Sequence, residues 1–304
     1  MPTNSTRPVN LLVAFALFAS GAGALAGCGS EMAGDDRSGG SGQSKAADRA
    51  REVAVAWDNS QAAASWRKGY YPMGAVVQPP ANGLHGDDKR AYERGNFDLG
   101  GVLPVTGPQD GQVTWANGAS LSLPVVEVER AYRSVARSSS PGPRLVVTRA
   151  KLGEMTVATS RGPATVPAWL FTLRGYKTPL SRAAVNPSKP PRPPIGPARA
   201  VPADVLAPLG GLSELAADGR SVTVVATHGS CDKGPAVNAL ETDSSVVLSA
   251  SVIGSEDGNC TSEMRGKSVT VRLKRPVGDR VLLDAYTGRT LSYNAWGKTA
   301  PSGG

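Results

Sequence analysis

Residues 144–173 read RLVVTRAKLGEMTVATSRGPATVPAWLFTL, and this stretch sets the fold class. Two runs rich in β-branched residues, Leu145-Val146-Val147-Thr148 and Met155-Thr156-Val157-Ala158-Thr159, lead into Arg161-Gly162-Pro163, which has turn composition. Residues 166–173 then return as a strand carrying Trp169 and Phe171 on one face, because alternate strand residues share a face.

The pattern extends in both directions. Upstream, short β-like runs at 76–77, 102–103 and 113–115 are cut by Pro79-Pro80, Gly100-Gly101, Pro104 and Asn117-Gly118. Downstream, strands are predicted at 222–226, 246–252, 269–273 and 281–283. One helix is predicted from Ala46, where Val53, Ala56, Trp57, Ser60, Ala63 and Ala64 recur at three- and four-residue steps. Gly69 and Pro72 stop it. Trp57 and Trp66 read as its packing anchors. A second helix is predicted at 126–136, with a strand opening at Val125-Val126-Glu127-Val128 as the alternative. The fold class that follows is mainly β with an N-terminal helix, α+β overall, in two β-rich units of antiparallel sandwich or barrel-like form. The N-terminal helix is expected to pack on the first unit.

Residues 186–204 hold seven prolines and read as a semi-rigid, extended linker. It divides a helix plus first β-rich unit (46–185) from a second β-rich unit (205–297), with a tail at 298–304. With 40% hydrophobic and 19% charged residues, a polytopic membrane protein and a fully disordered chain are both excluded.

Residues 1–27 read as an export signal, with one positive charge at Arg7 and an apolar core at 11–19 too short to span a bilayer comfortably. The core ends in Leu25-Ala26-Gly27-Cys28, which resembles the bacterial lipobox. There the Cys28 thiol accepts a diacylglyceryl group, and the small residues before it admit the signal peptidase. Two acyl chains give stable attachment where one is marginal. Residues 28–45 are then the lipidated cysteine and a Gly/Ser-rich flexible tether. The localisation expected is the outer face of the cell membrane. Once Cys28 is assigned, Cys231 and Cys260 remain as an even pair in an oxidising compartment, which predicts a structural disulfide.

Without its leader the chain carries a net charge of +7. No Asp or Glu lies between Met155 and Ala203, a stretch that holds Arg161, Arg174, Lys177, Arg182, Lys189, Arg192 and Arg199. Such a strip is either a solvated linker or a surface drawn to anionic lipid or an anionic wall polymer. Nucleic acid is not expected as a partner, since aromatics do not interleave with the cations as stacking sites would.

No catalytic signature survives inspection. Ser230-Cys231-Asp232-Lys233 and Ser65-Trp66-Arg67-Lys68 both match S-x-x-K, yet no S-D-N follows, and Lys298-Thr299-Ala300 lacks the final glycine of K-T-G. His228 beside Ser230 has no G-x-S-x-G elbow. His85 and His228 lie too far apart in sequence for a zinc pair, and no phosphate loop occurs. No catalytic residue, cofactor or metal site is therefore predicted.

Five segments together carry a family likeness: the lipobox, Val53-Ala54-Val55-Ala56-Trp57, residues 162–171 (GPATVPAWLF), His228-Gly229-Ser230-Cys231-Asp232 and Asp279-Arg280-Val281-Leu282-Leu283-Asp284. The chain resembles the uncharacterised lipoproteins of high-GC actinobacteria. That resemblance implies location and fold style and transfers no catalytic residue. The expected role is a non-catalytic surface lipoprotein that binds or organises an envelope component. The alternatives are a cell-wall hydrolase with an unrecognised site and a sensory or regulatory partner of a membrane protein. An exposed aromatic patch near Trp169 or Trp296 would mark a binding surface.

Overall fold

The computed structural model describes residues 37–255 and 260–294. Its helices are α1 (Arg37–Trp57), α2 (Gln61–Trp66), α3 (Asp87–Arg94) and α4 (Val128–Val135). The first seven strands are β1 (Val77–Gln78), β2 (Phe97–Leu99), β3 (Asp110–Trp115), β4 (Ser120–Pro124), β5 (Leu145–Thr159), β6 (Gly162–Leu173) and β7 (Leu180–Ala183). They are followed by β8 (Leu209–Leu215), β9 (Ser221–Gly229), β10 (Asp232–Glu241), β11 (Ser245–Ser255), β12 (Met264–Arg272) and β13 (Val281–Asp284). The chain is mainly β, as its sequence indicates, and its described strands form three sheets, none closed into a barrel.

The first sheet is built on the β5–β6 hairpin, paired antiparallel from Thr159↔Gly162 to Val147↔Leu173. Lys151, Gly153 and Glu154 interrupt the apolar pattern of β5, yet continuous pairing with β6 carries one strand through two predicted runs. The other edge of β6 is shared, with β3 at Thr165 and Ala164 and β7 from Ala168 to Phe171. Along β6 the buried face changes over. Ala164, Val166 and Ala168 enter a core with Tyr70, Val113, Trp115 and Val157. Trp169, Phe171 and Leu173 enter another, with Leu145, Val147 and Ala131 and Val135 of α4. The two residue sets have opposite parity and so leave opposite faces of the strand. Each core holds a tryptophan fixed through its indole. Trp115 Nε1 donates to Thr159 Oγ1 at 2.9 Å and Trp169 Nε1 to the Val126 carbonyl at 2.7 Å. Val102 and Leu103, predicted as strand, lie in a loop.

The second half is a sandwich. The antiparallel sheet β8–β9–β12 faces β10–β11–β13, in which β13 runs parallel to β11. Leu212, Val222, Val224, Val246, Leu248 and Leu282 fill the space between. The outer face of β11 and β13 is also apolar, with Val247, Val281 and Leu283 buried beneath Val53, Ala54, Trp57, Ala63 and Trp66. The N-terminal helices therefore pack on the second unit and not on the first, which corrects the expectation from sequence. All four residues of β13 are buried, so this sheet needs a cover on both faces, whereas α4 already covers the first. The helical segment also divides. Asn59 adopts φ 62° and the Ser60 hydroxyl caps the Ala63 amide at 3.1 Å, which ends α1 and starts α2. Residues 37–45, read as tether, belong to α1. The leader, Cys28 and the tail residues 298–304 lie outside the described residues.

Residues 70–73 join the two halves. Tyr70 is buried in the β3–β6 core, Tyr71 under the helices and Met73 between the sandwich sheets. The backbone here is paired on both sides: Ser160 N with Tyr71 O at 3.0 Å, Met73 N with Ala158 O at 2.8 Å, and Ser188 N with Tyr70 O at 2.9 Å. The proline-rich segment 186–204 is extended and is tied down along its course. The Tyr71 hydroxyl donates to the Lys189 carbonyl at 3.2 Å and Ala198 N to the Tyr286 carbonyl at 2.7 Å. Ile195, Ala198 and Val201 pack against the helical core, at the three-residue spacing of a polyproline turn.

Gly69 makes this joint possible. A Cβ there would lie 2.4 Å from the ring of Tyr71, which cannot retreat because it stacks on Trp66 at 3.8 Å between centroids. Gly69→Ala is expected to destabilise by about 1–3 kcal/mol through overpacking. Gly107→Ala, in open space, should stay within about 0.5 kcal/mol of the parent. Urea denaturation of both variants checks the difference.

Candidate functional site

The β10–β11 register sets Ala236 opposite Ser251, Asn238 opposite Ser249 and Leu240 opposite Val247. Directly opposed residues share a sheet face. Leu240 and Val247 pack under the helices, so Asn238, Ser249 and Ser251 face the same side. The C-terminal part of α1 is seated on this sheet through Val53, Ala54 and Trp57, and the Trp57 indole donates to the Gly288 carbonyl at 2.8 Å. The preceding turns, from Gly42 to Arg51, keep part of that contact through Ala46 and Ala50 and line a cleft of about 1010 Å³ above the strands. Asp204 and Val205 also line it, held by the bond from Val252 N to the Ala203 carbonyl at 3.0 Å.

The helix wall is small and apolar, formed by Ala46, Ala47 and Ala50. The floor is polar. Ser249 is only 7% exposed, yet its hydroxyl has no hydrogen-bond partner among the described residues, and neither do the side chains of Ser251 and Asn238. The hydroxyl itself is not enclosed: it opens onto the cleft, where solvent or a ligand reaches it. The charged groups at the margin are Asp204, Asp232 and Arg51. Arg51 pairs with Asp48 on its own helix, and Asp232 Oδ2 accepts from the Gly229 amide at 2.5 Å.

The floor strand is held at both ends. Cys231, immediately before β10, is bonded to Cys260, which makes the predicted disulfide a feature of the structure. Glu241, the last residue of β10, pairs with Arg280 at 3.0 Å, with side chains 12% and 5% exposed. Arg280 also donates to the carbonyls of Arg275 and Pro276 at 2.7 and 2.8 Å. Burial alone would raise the Glu241 pKa. The amides of Lys274 and Arg275 and the Arg280 guanidinium outweigh it and hold the carboxyl below its ordinary value.

The residues singled out from sequence are distributed as follows. Ser230 Oγ donates to the Thr261 carbonyl at 3.0 Å and accepts from its amide at 2.9 Å, while His228 Nδ1 lies 3.0 Å from the Gly229 carbonyl. Both serve the stapled turn. The His85 ring stacks on Tyr176 with centroids 5.9 Å apart, remote in sequence and partners from His228. Among the described residues no three His, Cys, Asp or Glu side chains gather as a metal-ligand set. Trp169 is buried, so no exposed aromatic patch forms around it, and Trp296 lies outside the described residues.

Of the seven cations, two are engaged internally. The Arg161 guanidinium lies 3.8 Å over the Trp115 ring. Arg182 Nε donates to Ser134 Oγ at 2.7 Å, and burial lowers its pKa. Arg174, Lys177, Lys189, Arg192 and Arg199 are exposed, the last three on the proline-rich strap. The cleft itself escaped the sequence reading. Its floor residues are ordinary Ser and Asn, and Gly234-Pro235 masks β10 as a turn. No protein-family model, no curated protein and no solved structure matches the chain.

The lock at Glu241 has a defined pH signature. A carboxyl whose folded pKa is depressed contributes stability above its unfolded pKa and loses it as pH falls through the folded value. Stability toward urea should therefore drop as the pH is lowered below the ordinary carboxylate value of about 4, and Glu241→Gln should make that drop shallower. Arg280→Ala, which strands the buried carboxylate, is expected to cost about 3–5 kcal/mol at neutral pH. Urea titrations across pH read both effects.

Proposed function

We propose that this protein is a lipid-anchored, non-catalytic binding protein of the cell envelope, held on the outer membrane face by a diacylglyceryl group on Cys28. The single observation that carries the binding role is the cleft between α1 and the β10–β11 floor. Its volume of about 1010 Å³ lies at the upper end of ordinary ligand sites, and unpartnered hydroxyl and amide groups converge on it. Its floor strand is braced at both ends, which limits the ordering cost of binding. Binding is favoured over hydrolysis because Ser230 and His228 are taken up by the stapled turn. The lipobox supports the location, and so does the resemblance to uncharacterised actinobacterial lipoproteins.

A second element supports a position at the membrane surface. Lys189, Arg192 and Arg199 stand exposed on a fixed strap and form no ion pair among the described residues. Their partner in this reading is the anionic headgroup layer of the membrane that carries the anchor.

Fractionation of cells expressing Cys28→Ala tests the anchor. After a high-salt wash that releases protein held only by the cationic strap, the variant should leave the membrane fraction; if it stays there, the lipid anchor is wrong. Vesicle co-sedimentation tests the strap, using the mature chain with Cys28→Ser. Replacing Lys189, Arg192 and Arg199 by Ala removes about 1 kcal/mol for each basic residue near the surface, so phosphatidylglycerol vesicles should bind on the order of a hundredfold more weakly at low salt. Equal binding by both proteins would end that role.

A further inference from the structure

We infer that the α1/β10–β11 cleft takes an extended peptide segment bearing lysine or arginine side chains. The inference rests on the binding role proposed above and names its ligand class.

Three observations converge. The first is the spacing of the floor groups. Ser249 and Ser251 lie two residues apart on one face of β11, a separation of about 6.6–6.8 Å in a strand. An extended peptide presents equivalent groups at the same repeat, so its alternate residues meet these hydroxyls in register. Asn238, directly across from Ser249, offers an amide that both donates and accepts. Ser249 is 7% exposed and lines the cleft, and its hydroxyl is free to meet a ligand there.

The second is the lining. Among the described residues no aromatic side chain lines the cleft, so the ring of a sugar has nothing to stack against there.

The third is charge. The whole mature chain is basic, yet the cleft lining holds two carboxylates, Asp204 and Asp232, against one guanidinium already paired with Asp48; the Lys233 and Lys267 side chains stand beside Gly254 and Gly234 at the Asp232 end, so the unbalanced carboxylate is Asp204. Asp204 has no partner among the described residues. Complementarity therefore selects a cationic ligand here, opposite in sign to the partner of the strap. The wall of Ala46, Ala47 and Ala50 leaves room beside the floor without bulky side chains.

The test is a nuclear magnetic resonance titration of the ¹⁵N-labelled mature chain carrying Cys28→Ser. The probes are acetyl-Ala-Lys-Ala-Lys-Ala-amide, its glutamate counterpart and the linear tetramer of N-acetylglucosamine. The lysine peptide should shift the amides of Ala46, Ala47, Ser249 and Ser251 saturably. The glutamate peptide should bind at least about threefold more weakly at low salt, as like charges at the rim require. Asp204→Asn should weaken the lysine peptide by a similar factor and narrow that difference. Ala47→Trp, on an exposed helix position, should block the cleft; Ser249→Val serves as a second blocking variant if the first lowers the melting temperature. Equal or tighter binding of the glutamate peptide overturns the charge assignment and with it the proposal. Shifts at these residues with the sugar but neither peptide overturn the peptide class and leave the binding role standing. An absence of shifts in the cleft with every probe overturns both.

Discussion

The architecture depends on the four residues from Tyr70 to Met73. Their side chains enter three separate cores while their backbone is bonded to the end of β5 on one side and to the proline-rich strap on the other. Burial of an aromatic or a methionine is worth roughly 1.5–3 kcal/mol each, so this short segment couples cores that otherwise share few residues. The close approach of Gly69 to the Tyr71 ring and the stacking of that ring on Trp66 fix its course. Without it, the helices, the β5–β6 sheet and the sandwich would have no common register.

That joint explains why a cleft exists. The helices are anchored at their C-terminal side, where Trp57 reaches Gly288 and Trp66 meets Tyr71. They continue toward the N-terminus over a floor in which Asn238, Ser249 and Ser251 interrupt the apolar residues, and the contact thins to that of Ala46 and Ala50. Close packing gives way to open space at the point where the floor changes from Val247 to Ser249. The disulfide and the Arg280–Glu241 pair hold the floor strand β10 at its two ends. A buried ion pair is weak evidence of net stability, and here its effect is to fix the course of the chain: Arg280 gathers the carbonyls of three residues around one guanidinium.

Much of the fold was legible in sequence for identifiable reasons. Strands β6, β9, β11 and β13 carry Val, Thr and aromatic runs long enough to stand out, and the tryptophans marked the cores. The disulfide was legible by elimination. The face change along β6 was not, because Pro167-Ala168-Trp169 is uniformly apolar and hides the shift of parity. Helix α3, DDKRAYER, was missed because Ala91 alone is buried; its signals were Asp87 and Asp88 at the start and left-handed Gly95 at the end. The candidate site was illegible for a deeper reason. Its evidence is the lack of partners for Asn238, Ser249 and Ser251, and partners exist only once register is known. The destination of the N-terminal helix was unreadable too, since its apolar stripe fits either sheet and the choice is made by β13, more than 200 residues away.

That distance sets an order of events. During synthesis or translocation the first helices emerge long before the strand they cover, and the bond from Trp57 to Gly288 spans 231 residues. The β5–β6 hairpin and α4 can assemble meanwhile from local contacts, whereas α1 and α2 must wait with their apolar faces uncovered. Such a chain is completed last at its beginning. Its earliest segment becomes secure only when the final strand arrives, and a truncation before β13 would release the N-terminal helices without touching them.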